Sequence, residues 1–358
     1  MKIQKIIIVS FALMLISLAS FSQDKRTTET KVADLLARLP ANDLQFTNKL
    51  MGDMLVLGET GLKLICDQIV PPGSGDDTRP RFAIESFTRF LSQPGKDAEK
   101  ASWEKICIYY VSTWKDNQVK DFFMKQLQQI GGAQSAEAMK VYLVNKEICE
   151  PALAVIVAVG GKDAEAILAE SLKNKDLPCA AAVMNALAIM KSSVAVNEYI
   201  SWAGNSDINI KCSAYNALAQ SGSPLAYPVL SNAAKLALYK WEPTASTESL
   251  LNYARVIGQN GDVKTMDKIC KLIMKKCNDN LTIQNKTEAL DIYVSIHGIN
   301  SMPELKKAVY SLNDKYRNAA LLMSLKIEGS EIIENWINYF PKAIPAAKAP
   351  IIGSKPDS

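Results

Sequence analysis

Apolar residues recur at spacings of three and four along most of this chain, and the recurrence is itself repeated. In 163–173, Ala166, Ile167, Ala169 and Leu172 share one face of a 3.6-residue period. The next segment, 177–190, is Ala, Val, Met, Leu or Ile at nearly every position, which predicts a helix covered on more than one side. The text beginning at Ile148, at Cys179 and at Ile210 superimposes with a spacing of 31 residues, 148 to 179 and 179 to 210. It runs through Ala152, Val155, Ile156 and Gly160, then Val183, Ala186, Leu187 and Lys191, then Ala214, Ala217, Leu218 and Gly222. A fixed period of that length predicts stacked helical hairpins, because one hairpin cannot bury both of its faces and neighbours must supply the rest. The expected class is all-α, an α-solenoid over residues 23–340.

Polar punctuation divides this pattern into elements. Asp176 stands three residues before Cys179 and Asp207 three before Ile210, where each is expected to accept hydrogen bonds from the free N–H groups opening the second helix of its hairpin. Upstream, helices are expected over 31–39, 44–57, 62–69, 81–91, 98–113 and 119–130. Downstream they are expected over 226–238, 247–257, 264–277, 284–296, 303–312, 316–327 and 330–339. After Gly222 the phase slips: the next marking glycine is Gly261, and Tyr239–Ser246 fills the added length as an inserted turn between two helices. Insertions in repeat arrays emerge on one face and often carry the contacts, which makes Trp241, at the tip, the leading binding candidate.

The spacing Asp207-x-x-Ile210-Lys211-x-Ser213-Ala214-x-x-Ala217-Leu218 resembles the signature of HEAT repeats, in particular the short kind found in phycobilisome lyases. Asn313 to Ala320 and Asp77 to Ile84 restate the theme near the two ends of the chain. The resemblance implies a helical interaction module.

Composition adds the compartment. Lys2 and Lys5, the apolar run 6–18 and the small residues Ser20 and Ser22 read as an export signal over 1–22. The run is shorter than the roughly 20 residues of a membrane-spanning helix, so no transmembrane span is expected once the signal is removed. Removing 1–22 would take two lysines from the 41 Lys and Arg, leaving 39 against 37 acids. With near neutrality, 48% apolar residues and no basic run, nucleic acid is not an expected partner. The seven cysteines are an odd number, so at least one thiol is left over or pairs with another chain. Cys149 and Cys179 begin successive second helices and are the pair placed to form a disulfide if their side chains lean together; otherwise they are small buried apolar residues. Residues 341–358 are rich in Pro and Ala and read as a tail or linker.

Candidate chemistry is sparse. In the loop 71–78, Asp76 and Asp77 beside glycines would hold a cation or a polar ligand, unless Asp77 only caps the following helix. The aromatics Trp103, Tyr109, Tyr110, Trp114, Phe122 and Phe123 would form a sugar platform if exposed, and core if buried. The one histidine, His297, lies near a helix end and allows no His-based metal cluster. There is no phosphate loop, dinucleotide fingerprint or Cys-x-x-Cys, and no cofactor is implied.

Residues 31–41, the loop 71–77 and Ser92-Gln-Pro-Gly95 look like the repeat region of large exported proteins of gut-type Bacteroidetes, in which HEAT repeats precede a 3-keto-disaccharide hydrolase-type domain. The resemblance implies an interaction module beside glycan breakdown, and the expected function is a periplasmic or secreted, non-catalytic scaffold whose curved face binds a protein or glycan partner. The alternative is the front part of a glycan-processing enzyme, or a lyase-like solenoid. A pocket on the concave face containing two carboxylates within about 10 Å would favour an enzyme; a flat surface with an exposed Trp241 and no perturbed acids would favour a scaffold.

Overall fold

A computed structural model describes residues 26–342 and 348. The segment read as an export signal, and the tail beyond Lys342 apart from Lys348, lie outside the described residues. Every regular element among the described residues is helical, and no described helix is long and apolar enough to cross a membrane. The chain forms two compact units, dividing after Gly132.

The first unit contains α1 (Thr28–Ala37), α2 (Leu44–Val56), α3 (Gly58–Cys66), α4 (Thr78–Leu91), α5 (Asp97–Thr113) and α6 (Asn117–Ile130). They pair as α1/α2, α3/α4 and α5/α6, with α2, α4 and α6 packing in one layer and α1, α3 and α5 in the other. Side-chain caps open several of them: Asp43 accepts from the Phe46 amide at 2.6 Å, and Asp116 from Gln118 and Val119 at 2.9 and 3.0 Å. Of the aromatics in and next to α5 and α6, Trp103, Tyr110, Phe122 and Phe123 are core, Trp114 is half-buried, and Tyr109 is 49% exposed. Trp103 packs edge-on against Phe87 and donates its indole N–H to Thr88 Oγ1 at 2.9 Å. Tyr110 stacks on Phe123 and donates its hydroxyl to Asp67 at 2.6 Å. The buried polar ends are thus satisfied, as aromatic cores require.

The second unit continues with α7 (Ala133–Met139), α8 (Cys149–Val159), α9 (Gly161–Ser171), α10 (Ala180–Ile189), α11 (Val196–Trp202), α12 (Ile208–Ser221) and α13 (Ala226–Leu236). It ends with α14 (Ser246–Gln259), α15 (Val263–Lys276), α16 (Ile283–His297), α17 (Met302–Ala308), α18 (Asp314–Ser324) and α19 (Glu331–Tyr339). Helices α8, α10, α12, α14, α16 and α18 stack in sequence, and each also packs on the helix before it. This is an α-solenoid of stacked helical hairpins. The stacked row holds the apolar positions of the sequence repeat: Ala152, Val155, Ile156, Val183, Leu187, Ala214, Ala217 and Leu218 are fully buried.

Two kinds of turn set the period. Between hairpins the chain passes through a left-handed residue, at Gly160 (followed by Gly161, also left-handed), Lys191, Gly222, Gly261, Gly298 and Gly329. Five of the six are glycine because only glycine adopts this conformation without a side-chain clash. Within hairpins a polar side chain accepts the amide two residues ahead. Asn145 takes Glu147, Asn174 takes Asp176, and Asn205 takes Asp207, at 2.8–3.0 Å. Farther along, Glu242 takes Thr244, Asp279 takes Leu281 and Ser311 takes Asn313, at 2.7–3.2 Å. All of these turns belong to the same edge of the array, the one joining first helix to second.

One expected cap is present and the other is not. Asp207 accepts from the Asn209 and Ile210 amides at 2.8 and 3.1 Å and opens α12. Asp176 caps nothing: α10 starts at Ala180 behind Cys179, with no side-chain cap. The reason is Pro178, which occupies the place of Asn209 two residues after the aspartate and has no N–H to offer. An additional tight turn, Ala180 N to Leu177 O at 3.3 Å, separates Asp176 from the helix.

The disulfide that Cys149 and Cys179 were placed to form is also absent, and the alternative holds: both are buried free thiols, as all seven cysteines are free. Both thiols turn to carbonyls of one loop instead, Cys149 Sγ to Lys146 O at 4.0 Å and Cys179 Sγ to Leu143 O at 3.7 Å. Burial then pushes the Cys179 thiol well above its usual range, with Cys149 beside it adding to the effect.

Candidate ligand site on the turn edge of the second unit

The inserted turn is built from the end of α13. Leu238 and Tyr239 are both left-handed, with φ 55° and 56°, and Ala245 before α14 is left-handed at 53°. Three of the four non-glycine residues with positive φ among those described therefore lie in this one turn. Such conformations cost of order 1 kcal/mol or more each and persist only where the surroundings fix them. Here the fixing is explicit. The Glu242 carboxylate accepts the Thr244 amide, the Thr244 hydroxyl and the Ser246 amide, each at 2.7 Å. From α16, Asn285 Nδ2 donates to Tyr239 O at 2.8 Å.

The result is a rigid turn that holds Trp241 80% exposed. Beneath it lies a cavity of about 240 Å³ lined by Trp241, Glu242, Thr247, Glu248, Asn252, Leu281, Gln284, Asn285 and Glu288, among others. Enclosed small-molecule sites are commonly about 300–1,000 Å³, so this one suits a single ring of a longer ligand. One wall is preset: Arg255 pairs with Glu288, lies 3.8 Å from Asp291, and donates to Asn252 Oδ1 at 3.4 Å. Thr247 is 3% exposed and its Oγ1 has no hydrogen-bond partner among the described residues. An unpartnered buried hydroxyl in a cavity wall is a polar group without its complement.

The acids do not form a catalytic pair. Burial alone would raise Glu242, but hydrogen bonds from Ser246 and Thr244 outweigh it and hold the carboxyl below its usual value. Glu288 is occupied by Arg255. Glu248 is then the one carboxylate of the lining with neither an ion-pair nor a hydrogen-bond partner among the described residues.

Asp76 and Asp77 do not converge on a shared ligand. Asp77 Oδ2 accepts the Val70 amide at 3.0 Å and Arg81 Nε at 2.8 Å, while Arg81 Nη2 donates to Val70 O at 3.0 Å. That carboxylate straps the loop shut instead of capping α4, and it stays below its usual pKa because Arg81 and the Val70 amide outweigh its burial. Asp76 accepts the Thr78 amide at 3.0 Å. Among the described residues, no cluster of His, Cys, Asp or Glu has the arrangement of a metal site. His297 ends α16 and is hydrogen-bonded to Asp267 at 2.6 Å.

Trp241 was accessible from the phase slip in the sequence; Thr247, Asn252, Gln284 and Glu288 were not, because the repeat says which helices adjoin but not which polar residues meet across them.

No family model matches the chain, and no curated protein does. Among solved structures, a crystal structure described as that of an engineered protein is similar at 14% identity, covering 90% of this chain and 98% of its own, with a TM-score of 0.40.

Proposed function

We propose that this chain is a non-catalytic helical scaffold that binds a saccharide at the Trp241 turn of its second unit. The single observation that carries the reading is Trp241 itself, an indole held far out of the surface by a braced turn and placed over a cavity of mixed carboxylates and amides. A sugar ring has an apolar C–H face and a rim of hydroxyls. The indole face complements the first; Glu248, Gln284 and Asn252 complement the second. Against an enzyme stands the engagement of Glu242 and Glu288 within the protein, which leaves Glu248 without a second free carboxylate to divide acid and base roles. The setting that goes with this reading is the one the resemblances imply: an exported protein working beside glycan breakdown.

Titration with a panel of neutral di- and oligosaccharides, followed by tryptophan fluorescence and calorimetry, tests it. Trp241→Ala is expected to weaken binding by about tenfold or more, equivalent to about 1.4 kcal/mol, with unchanged helicity. Equal affinity in the variant, or no saccharide bound by the native chain, would overturn the reading. Turnover of a bound sugar would return the site to the enzymes.

A further inference from the structure

One hairpin farther along the same edge, α15, α16, α17 and the start of α18 enclose a second and larger groove of about 650 Å³. Its character is different. Lys271, Lys275, Lys286 and Lys307 line it together with Tyr310 and Tyr316, and Glu304 is the only acid in the lining. Two of the four lysines are neutralised locally: Lys271 pairs with Asp267 at 3.1 Å and Lys307 with Glu304 at 2.8 Å.

Lys286 and Lys275 are not. Lys286 is half-buried, its ammonium lying 4.9 Å from the centre of the Tyr316 ring and donating to Asn278 Oδ1 at 2.6 Å. Neither lysine has an ion-pair partner among the described residues. The acids of the surrounding elements are engaged elsewhere: Asp262 caps α15 and Asp267 holds Lys271 and His297. Asp279 takes the Leu281 and Thr282 amides, Glu288 and Asp291 face Arg255, and Asp314 pairs with Arg317. Burial consequently pulls the Lys286 ammonium below its usual pKa, with no carboxylate to offset it. A cation withdrawn from water with only an amide oxygen and a ring face for company is an incomplete arrangement; a bound anion would complete it.

We propose that this groove is an oxyanion site, taking a carboxylate, sulfate or phosphate group of a small ligand between Lys286 and Lys275. The Asn278 and Asn313 amides, both in the lining, supply neutral polar contacts around the charged group, each with the N–H it does not give to Lys275 O or Asn280 Oδ1. The Tyr316 ring packed under Lys286 fixes the ammonium so that little side-chain freedom is lost on binding. The inference is independent of the saccharide reading, since it shares no lining residue with the Trp241 cavity.

Calorimetric titration of the whole chain with sodium sulfate, sodium phosphate, glucuronate and, as the neutral control, glucose tests it. The three oxyanions are expected to bind, with affinity falling as chloride rises, and glucose is not expected to compete for the groove. A preference for glucuronate over both inorganic ions would identify a carboxylate-bearing sugar as the ligand; the reverse would identify a free or esterified inorganic anion. Lys286→Met keeps the apolar stem and removes the charge, and is expected to weaken oxyanion binding about tenfold or more. Lys275→Ala, at an exposed position where folding is not at stake, is expected to weaken it severalfold, and Trp241→Ala to leave it unchanged. Failure of all three oxyanions to bind, or equal affinity in both lysine variants, would overturn the proposal.

Discussion

The turn at Asn205–Asp207 and the turn at 237–245 do the same job in successive hairpins of the second unit. Each joins a first helix to a second, and in each a side chain accepts the amide two residues ahead, Asn205 in one and Glu242 in the other. The first then opens α12 directly from Asp207. The second carries extra residues, three of them left-handed, and presents Trp241 to solvent. The comparison teaches that the helices on either side tolerate a longer connection as long as the closing hydrogen bond is kept, so that the added length is displaced outward instead of disturbing the stack. A surface feature can thus be grown at one turn without redesign of the core, as loop-closure costs that rise only slowly with length would allow.

That difference can be broken at several levels. The largest effect is expected from replacing 238–245 with a short Asn-Ser-Asp connection copied from 205–207. Saccharide binding should vanish in the calorimeter while circular dichroism shows the helices intact; loss of the helical signal would mean that the insert is part of the stack after all. Next, Glu242→Ala should lower stability by about 1 kcal/mol, because two amides of the turn lose their acceptor and the site is only partly shielded from water. The sign with pH follows from the carboxyl being held below its ordinary value near 4.5. Its stabilisation is complete above that value and fades as the pH falls through the lowered one, so native and variant denaturation curves should converge in acid. The smallest contrast is between the two aspartates. Asp207→Ala should cost about 1 kcal/mol in urea denaturation, and Asp176→Ala no more than a few tenths, because only the former bonds to helix amides.

Much of the architecture was legible because the repeat is written in apolar residues, whose burial depends on their spacing alone. Gly160, Lys191 and Gly222 were aligned by that spacing, and all three prove to be left-handed, the lysine included. What failed to be legible was decided by single atoms. Asp176 and Asp207 occupy equivalent places in the text, yet the missing N–H of Pro178 separates their roles. Cys149 and Cys179 begin successive second helices, yet their thiols turn to the carbonyls of Lys146 and Leu143. The binding cavity was half legible: the phase slip located Trp241, while the facing residues come from α14 and α16 and meet only once the hairpins are stacked. The loop at Asp76 and Asp77 shows the opposite outcome, two adjacent carboxylates whose proximity in sequence suggested a shared ligand and whose hydrogen bonds are separate and local.

Six of the seven thiols are buried, and they are spread along both units, with Cys66 and Cys107 in the first and Cys149, Cys179, Cys270 and Cys277 in the second. Withdrawal from water suppresses the thiolate and with it the reactivity toward alkylating reagents. In an array whose hairpins depend mainly on their neighbours, opening need not be all-or-none. The order in which these sulfurs become modifiable under mild denaturant would therefore chart, hairpin by hairpin, where the molecule first comes apart.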